Sequence, residues 1–229
     1  MLFRSWKWIF VPGLIYAILF FLGMYLFLRS SNSAIEFYDR PDVVAIAKQL
    51  VGKILVTKFD GIITSGRIVE TEAYIGLTDK ASHSFGGRRT LRNEHMYAAP
   101  GTGYVYICYG MHHLFNVVTN KKNIPDAVLI RAVEPIAGVT NMLHRTDKKI
   151  FDNTLTRGPG NVGKAMGISK MHSGINLLGN KIFIGEDDLK SISIASSKRI
   201  GVESSGAAAL LPYRFYLRGN KFVSGYPNK

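Results

Sequence analysis

The stretch Lys53-Ile-Leu-Val-Thr-Lys58, followed by a turn at Asp60-Gly61 and then by Ile62-Ile-Thr-Ser-Gly-Arg-Ile-Val-Glu-Thr-Glu-Ala-Tyr74, decides the fold. Both runs are rich in β-branched residues, and Asp-Gly between such runs is a strong hairpin signal, because its residues accept the positive φ angles that a tight turn needs. Upstream, Asp39-Arg-Pro-Asp42 before Val-Val-Ala-Ile-Ala-Lys-Gln-Leu-Val-Gly52 predicts a helix, with Asp39 or Asp42 as the cap and Gly52 beyond its end. Downstream, Tyr104–Tyr109, Phe115–Thr119 and Ala127–Val133 read as strands separated by Gly or Asn/Lys turns. Helices are predicted over Ile136–Arg145 and Val162–Ile168, and a closing strand over Tyr213–Leu217. The expected fold is a single α+β domain with a curved, mainly antiparallel, barrel-like sheet flanked by helices.

Within the long second run, residues 70, 72 and 74 point to one face and 69, 71 and 73 to the other, so Glu70, Glu72 and Tyr74 share a face. Same-face neighbours lie roughly 7 Å apart, which suits paired acid/base carboxylates. Spacing alone nevertheless favours a solvated strand face, since exposed strands commonly carry alternating charge.

Composition narrows the partners. With 47% hydrophobic and 11% aromatic residues the chain is not a disordered one. Its 29 Lys and Arg against 16 Asp and Glu give a net charge of +13. Setting aside residues 1–34, which hold Arg4, Lys7 and Arg29 and no acid, leaves 26 against 16, or +10. The positive field therefore belongs to the folded part and attracts nucleic acid or an anionic membrane. Cys108 is the only cysteine, which rules out an intrachain disulfide and a thiolate-rich metal site and fits a reducing compartment.

Residues 1–34 are a separate problem from the domain expected over 35–229. Trp8–Leu28 is an uncharged apolar stretch long enough to span a bilayer, and its flanking charges place the domain outside the cytoplasm under the positive-inside tendency. A signal peptide cleaved near Ser33-Ala34 is a second reading, and translation from Met24, which deletes most of the apolar run, is a third.

Several local patterns bear on chemistry. After Asp79-Lys-Ala-Ser-His83 comes Phe85-Gly-Gly-Arg-Arg-Thr-Leu-Arg-Asn93, a glycine-opened loop whose Arg88, Arg89 and Arg92 suit phosphate oxygens. His83 on its own reads as a structural hydrogen-bonding residue, and the histidines have no familiar zinc spacing, so no metal is expected. Tyr104-Val-Tyr-Ile-Cys-Tyr109-Gly110 reads as a packed strand. Tyr106 and Tyr109 have opposite parity, so both serve one site only if the strand ends before Tyr109, leaving that ring at a turn tip where it could wedge into a base stack. Gly158-Pro-Gly-Asn-Val-Gly-Lys164 matches both the dinucleotide-binding pattern G-x-G-x-x-G and the start of a phosphate loop, G-x-x-x-x-G-K. It fails both on context, because Ala165 replaces the magnesium-binding Ser/Thr and no apolar strand precedes it. Its role is to open a helix, with N–H groups available to a DNA phosphate.

Taken in order, RIVETEAY, DKASHSFGGRRTLRN, PGTGYVYICYGMHHLFNVVT, AVLIRAVEP, RGPGNVGKAMGI and LPYRFYLRG resemble the 3-methyladenine (alkyladenine) DNA glycosylase family from about Phe37 to Ser224. The resemblance implies a base excision repair enzyme that flips damaged purines out of duplex DNA and removes them hydrolytically, as a monomer, without cofactor, and in the cytoplasm with the nucleoid. It makes Glu72 the general base that activates water and Arg131 the residue that helps hold that water. Tyr74, His83 and Tyr106 become the walls that sandwich the base, with Asn116 and Leu129 beside it. Tyr109 becomes the inserted side chain, and Arg88, Thr90, Arg92 and Met96 become DNA contacts. Aromatic walls suit an alkylated purine, which is already cationic and leaves readily. A neutral lesion such as hypoxanthine needs a proton, for which Glu70 or a water is the candidate donor. No lysine occupies the base position, so no imine and no strand cleavage are expected. Asn161 stands where many relatives carry a phosphate-contacting lysine.

Overall fold

The computed structural model describes residues 35–186 and 192–225. The apolar stretch Trp8–Leu28 read as an anchor, the cleavage position near Ser33-Ala34 and the alternative start at Met24 lie outside these residues. Among the described residues no helix is long and apolar enough to cross a membrane.

Helix α1 (Val43–Leu50) starts at Asp42, whose carboxylate accepts a hydrogen bond from Ala45 N at 2.8 Å, so of the two caps the sequence offered, Asp42 rather than Asp39 is used. Strands β1 (Ile54–Phe59) and β2 (Ile62–Tyr74) form the hairpin, and β3 (Gly103–Cys108), β4 (His112–Thr119) and β5 (Asp126–Ala137) follow. Helices α2 (Val139–Thr146) and α3 (Pro159–Met166), then β6 (Ile182–Gly185), β7 (Ile194–Ser197) and β8 (Arg214–Leu217), complete the chain. The eight strands make one antiparallel sheet in the order β3-β4-β5-β2-β1-β6, with β8 bridging β2 and β7. β1 covers β2 from Ile62 to Arg67, and β8 takes over the same flank at Glu70–Glu72. That change of neighbour curls the sheet into the half-barrel anticipated from sequence.

Some boundaries move, for identifiable reasons. β5 runs on through Pro135, opposite Gly66 at a register irregularity, where the missing proline donor is tolerated. Residues 136 and 137, expected in a helix, therefore remain strand, and Gly138 at φ 75° makes the break before α2. Helix α3 begins at Pro159, a favourable first position, and ends at Gly167 in the left-handed conformation, three residues earlier at its start than the apolar pattern indicated. β6 and β7, each four residues long, escaped the sequence reading because they are too short to show a period.

Ile46 and Leu50 of α1, Val162, Ala165 and Met166 of α3, and Met142 of α2 pack against Val105, Phe115, Val117, Val128 and Ile130 of the sheet. These odd and even positions leave Tyr104, Tyr106, Asn116, Leu129 and Arg131 for the other face. Gly163 lets α3 approach β4 closely: a Cβ there would lie 2.1 Å from the His113 carbonyl oxygen. Gly163→Ala is expected to destabilise the fold by about 1–3 kcal/mol or more through overpacking, read as a lower urea midpoint at unchanged slope.

Candidate active site

A β-bulge builds the site. The β2–β5 register pairs Ile68 with Val133, Glu70 with Ala132 and Thr71 with Ile130, so it skips Val69 on one strand and Arg131 on the other. Without the skip, Ile68 and Glu70 would share a face. With it, Ile68, Thr71 and Ala73 face the helices, while Glu70, Glu72, Tyr74 and Arg131 all turn to the opposite side. Bulges that re-aim side chains in this way recur beside functional sites.

Far from being a solvated face, the carboxylates are fully buried, at 0% exposure for both Glu70 and Glu72. The two have different partners. Glu70 Oε1 accepts from Arg214 Nε at 2.6 Å and Arg131 Nε at 3.2 Å, and Oε2 accepts from Ser224 N at 3.0 Å. Glu72 Oε2 accepts from the Tyr74 hydroxyl at 2.7 Å, and Oε1 accepts from Ile200 N at 2.9 Å and lies 3.4 Å from Arg131 Nη1. Arg131 thus divides its charge between two carboxylates. Burial pushes the Glu72 carboxyl above the ordinary range and the Glu70 charge adds to this, against the pull of Arg131, the Ile200 N–H and the Tyr74 hydroxyl. Arg131 itself stays charged: burial works against it, but Glu72 and Glu70 outweigh the penalty.

Above this cluster opens a cavity of about 350 Å³, within the range of small-ligand sites. Tyr74, His83, Tyr106, Asn116, Leu129 and Arg131 all line it. The Tyr106 and His83 rings meet edge to face at 4.5 Å, and Tyr104 lies 5.7 Å from Tyr106 with its hydroxyl 3.2 Å from His83 Nδ1. Much of His83 is open to the cavity, yet the packing around its ring and then the Arg92 and Arg88 charges hold its pKa down to about 4. The imidazole is therefore neutral at physiological pH, so it presents a face and a hydrogen bond and adds no positive charge to the cavity. Asn116 is fixed by donating its side-chain N–H groups to the Tyr104 and Leu114 carbonyls, both at 3.2 Å.

β3 does stop before Tyr109, which sits at φ 50° in the β3–β4 turn and is 88% exposed while still lining the cavity rim. On the adjacent loop, Arg88, Thr90 and Arg92 line a second, basic hollow together with Lys80 and Asn93. Buried Asn93 knits this loop, accepting from Thr90 N at 2.7 Å and donating to the Arg88 and His83 carbonyls. Arg92 ties it to β3 by donating to the Ile107 carbonyl at 3.2 Å.

Two sequence expectations need correction. Met96, placed among the DNA contacts, is only 3% exposed and packs with Tyr97 and Tyr104, so it reaches nothing beyond the cavity it helps to line. Glu70, a candidate proton donor, has its oxygens taken up by Arg131, Arg214 and Ser224 N, whereas Glu72, which like Glu70 lies behind the cavity lining, is bonded to the lining residues Tyr74, Arg131 and Ile200.

Asn161 is a structural residue here, donating to the Thr154 and Arg157 carbonyls. Two glycines of the Gly158–Lys164 motif serve packing, since Gly160 abuts His112 and Gly163 abuts His113, while Gly158 caps the start of α3 at φ 91°. Sequence reasoning missed Ile200, Gly201 and Val202, which form one cavity wall. No spacing relates them to Glu72, so no sequence signal marked them. Among the described residues no group of His, Cys, Asp and Glu could hold a metal ion.

Residues 36–221 match the model of the methylpurine-DNA glycosylase family. The chain belongs to that family. A Desulfitobacterium hafniense protein provisionally named a 3-methyladenine DNA glycosylase is 45% identical over 82% of this chain and 96% of its own length. Relatives with the same provisional name from Clostridium perfringens, at 44% identity over 82% of this chain and 97% of theirs, and from Oceanobacillus iheyensis, at 45% over 82% and 93%, are similar to it in the same way. As a methylpurine-DNA glycosylase, the chain is a hydrolase of N-glycosyl bonds that acts on DNA in base excision repair.

Proposed function

We propose that this glycosylase is monofunctional and removes alkylated and deaminated purines, of the 3-methyladenine, 7-methylguanine, hypoxanthine and ethenoadenine class, with Glu72 activating the attacking water. The observation that carries the reading is the buried Glu72 carboxylate, set just behind an aromatic cavity and joined to the Tyr74 hydroxyl and Arg131, which line it. The target nucleotide swings out of the duplex, and Tyr109 fills the gap it leaves. Its base lies between Tyr74, Tyr106 and His83, with Asn116 and Leu129 against its edge. Arg88, Thr90 and Arg92 hold the DNA backbone near the cavity mouth. Water oxygen bonds to C1′ as the C1′–N bond breaks, the departing base takes the electron pair, and the water's proton passes to Glu72. Arg131 helps hold that water. A cationic base leaves neutral, and the electron-rich ring faces bind the cation before it goes; a neutral base takes a proton from a water molecule as it departs. Among the described residues no lysine lines the cavity, which supports hydrolysis without an imine. The substrate places this work at the nucleoid.

The purified chain should release free 3-methyladenine and hypoxanthine from duplex DNA in a chelator-containing buffer, leaving an abasic site and an uncut strand. Strand cleavage without added base or heat would refute the monofunctional mechanism, and salt-sensitive DNA binding with no released base would reduce the protein to a binding module.

A further inference from the structure

Asp79 and Arg199 lie far apart in sequence and form a bidentate ion pair whose side chains are 1% and 0% exposed. Arg199 Nη2 donates to Asp79 Oδ1 at 2.9 Å and Nη1 to Asp79 Oδ2. The same two nitrogens also reach the carbonyls of Ala73 in β2, at 2.8 Å, and of Ala208 in the turn 203–210, at 3.0 Å. The guanidinium lies over the Tyr74 ring at 4.7 Å and the Tyr213 ring at 5.5 Å. Asp79 Oδ1 in turn accepts from Ala81 N at 3.0 Å, at the root of the cavity wall that carries His83.

Stability alone is a poor account of this arrangement. A buried ion pair gains little over well-packed apolar side chains, and Arg199 Nε is buried without a hydrogen-bond partner, which is itself costly. What the pair obtains is geometry. It joins β2, the Asp79–His83 loop and the segment after β7, and the residue next to Arg199 is Ile200, whose N–H reaches Glu72.

We propose that the Asp79–Arg199 pair is a positioning brace: it holds the Ile200 N–H on Glu72 and the Tyr74 ring in the cavity wall, and so fixes the water-activating carboxylate. The proposal rests on the reading of Glu72 given above. Neither residue touches the reacting atoms. Lysine cannot replace Arg199, because an ammonium cannot grip both Asp79 oxygens and the two carbonyls in one planar fork.

The groups that face Glu72 are Glu70 and Tyr74 from β2, Arg131 from β5, Tyr106 from β3, and Arg199 with the Ile200 N–H from the segment after β7. Arg199→Lys keeps the local charge and removes the geometry. Loosening the Ile200 N–H withdraws a contact that favours the charged carboxylate, so the Glu72 pKa rises further.

The test is a carboxyl-carbon NMR titration of the full chain, with the Glu72 signal assigned by its loss in Glu72→Gln, alongside single-turnover excision against pH. Arg199→Lys is expected to move the Glu72 titration upward by about half a pH unit or more and to slow excision at neutral pH about tenfold with duplex affinity unchanged. Asp79→Asn, which is isosteric and keeps the acceptor for Ala81 N, shifts both in the same direction by less. Ile182→Ala, in the core at the β6 edge, serves as a control that lowers Tm and moves neither. The brace is overturned if Glu72 titrates as in the parent chain in both variants, or if Ile182→Ala shifts it equally. Failure of both variants to fold also overturns it, by making the pair a folding requirement. The titration needs no substrate, so a parent chain that releases no base would sink the glycosylase mechanism while the titration still judges the brace.

Discussion

Glu72→Gln is expected to lower single-turnover excision of a damaged purine by roughly 10²–10⁴-fold, the usual contribution of a positioned general base. Affinity for lesion-bearing duplex should stay within about twofold, because the substitution touches a group that works only as the bond breaks. Glutamine keeps the shape of the side chain and can still meet the Tyr74 hydroxyl and the Ile200 N–H, but it cannot take a proton from water. Folding should not suffer. Glu72 has a raised pKa in the fold, so between its unfolded and folded values the folded state binds more protons and loses stability as pH rises. Above that window the parent chain carries the penalty and the glutamine variant does not, so its Tm at neutral pH should equal or exceed the parent's. The pH profile gives a second check. Glu72 must be ionised to act, so the acid limb of the parent's excision rate should fall at a higher pH than an ordinary carboxylate gives, and Glu72→Gln should abolish that limb. His83, held neutral down to about 4, should add no limb near neutrality. A variant that retains the full rate removes Glu72 from the mechanism.

How much of this was legible in the sequence follows from where each signal resides. The β1–β2 hairpin, a cap at Asp39 or Asp42 and the condition that puts Tyr109 at a turn tip are local, set by residues within a few positions of one another; the hairpin could be read directly and the other two as alternatives. The sharing of one face by Glu70, Glu72 and Tyr74 was also local. Its burial was not, because a strand's alternation is the same whether the polar face meets solvent or a second buried layer. What buries it is β8 taking over from β1 on the flank of β2, together with Ser224 and Ile200 arriving from the far end of the chain. The bulge that skips Val69 and Arg131 is equally invisible to periodicity. A plain alternation through Ile68 would have placed that core residue on the face of the carboxylates. Arg131 and His83 gained candidate roles only from the order of the motifs, and Asp79, Arg199 and Ile200 gained none at all.

Glu70→Ala is expected to be the most damaging substitution for the fold, lowering stability by about 3–5 kcal/mol, the cost of breaking a buried pair from one side. The change deprives Arg214 and Arg131, whose side chains are 8% and 9% exposed, of the oxygen they share, and leaves Ser224 N without its acceptor. Small domains have only about 5–15 kcal/mol in hand, so urea unfolding should show a large drop in midpoint. Glu70→Gln keeps the volume and one good acceptor but leaves the guanidinium charges undercompensated, and its loss should be smaller. The same pair of variants separates a structural Glu70 from a proton donor. Were Glu70 to protonate the leaving base, Glu70→Gln would slow hypoxanthine release far more than 3-methyladenine release, since only the neutral base needs a proton to depart. Its carboxylate is instead fully occupied by Arg214, Arg131 and Ser224 N. Both lesions should therefore slow by the same factor, set by how far Arg131 swings from Glu72 once its second partner is gone.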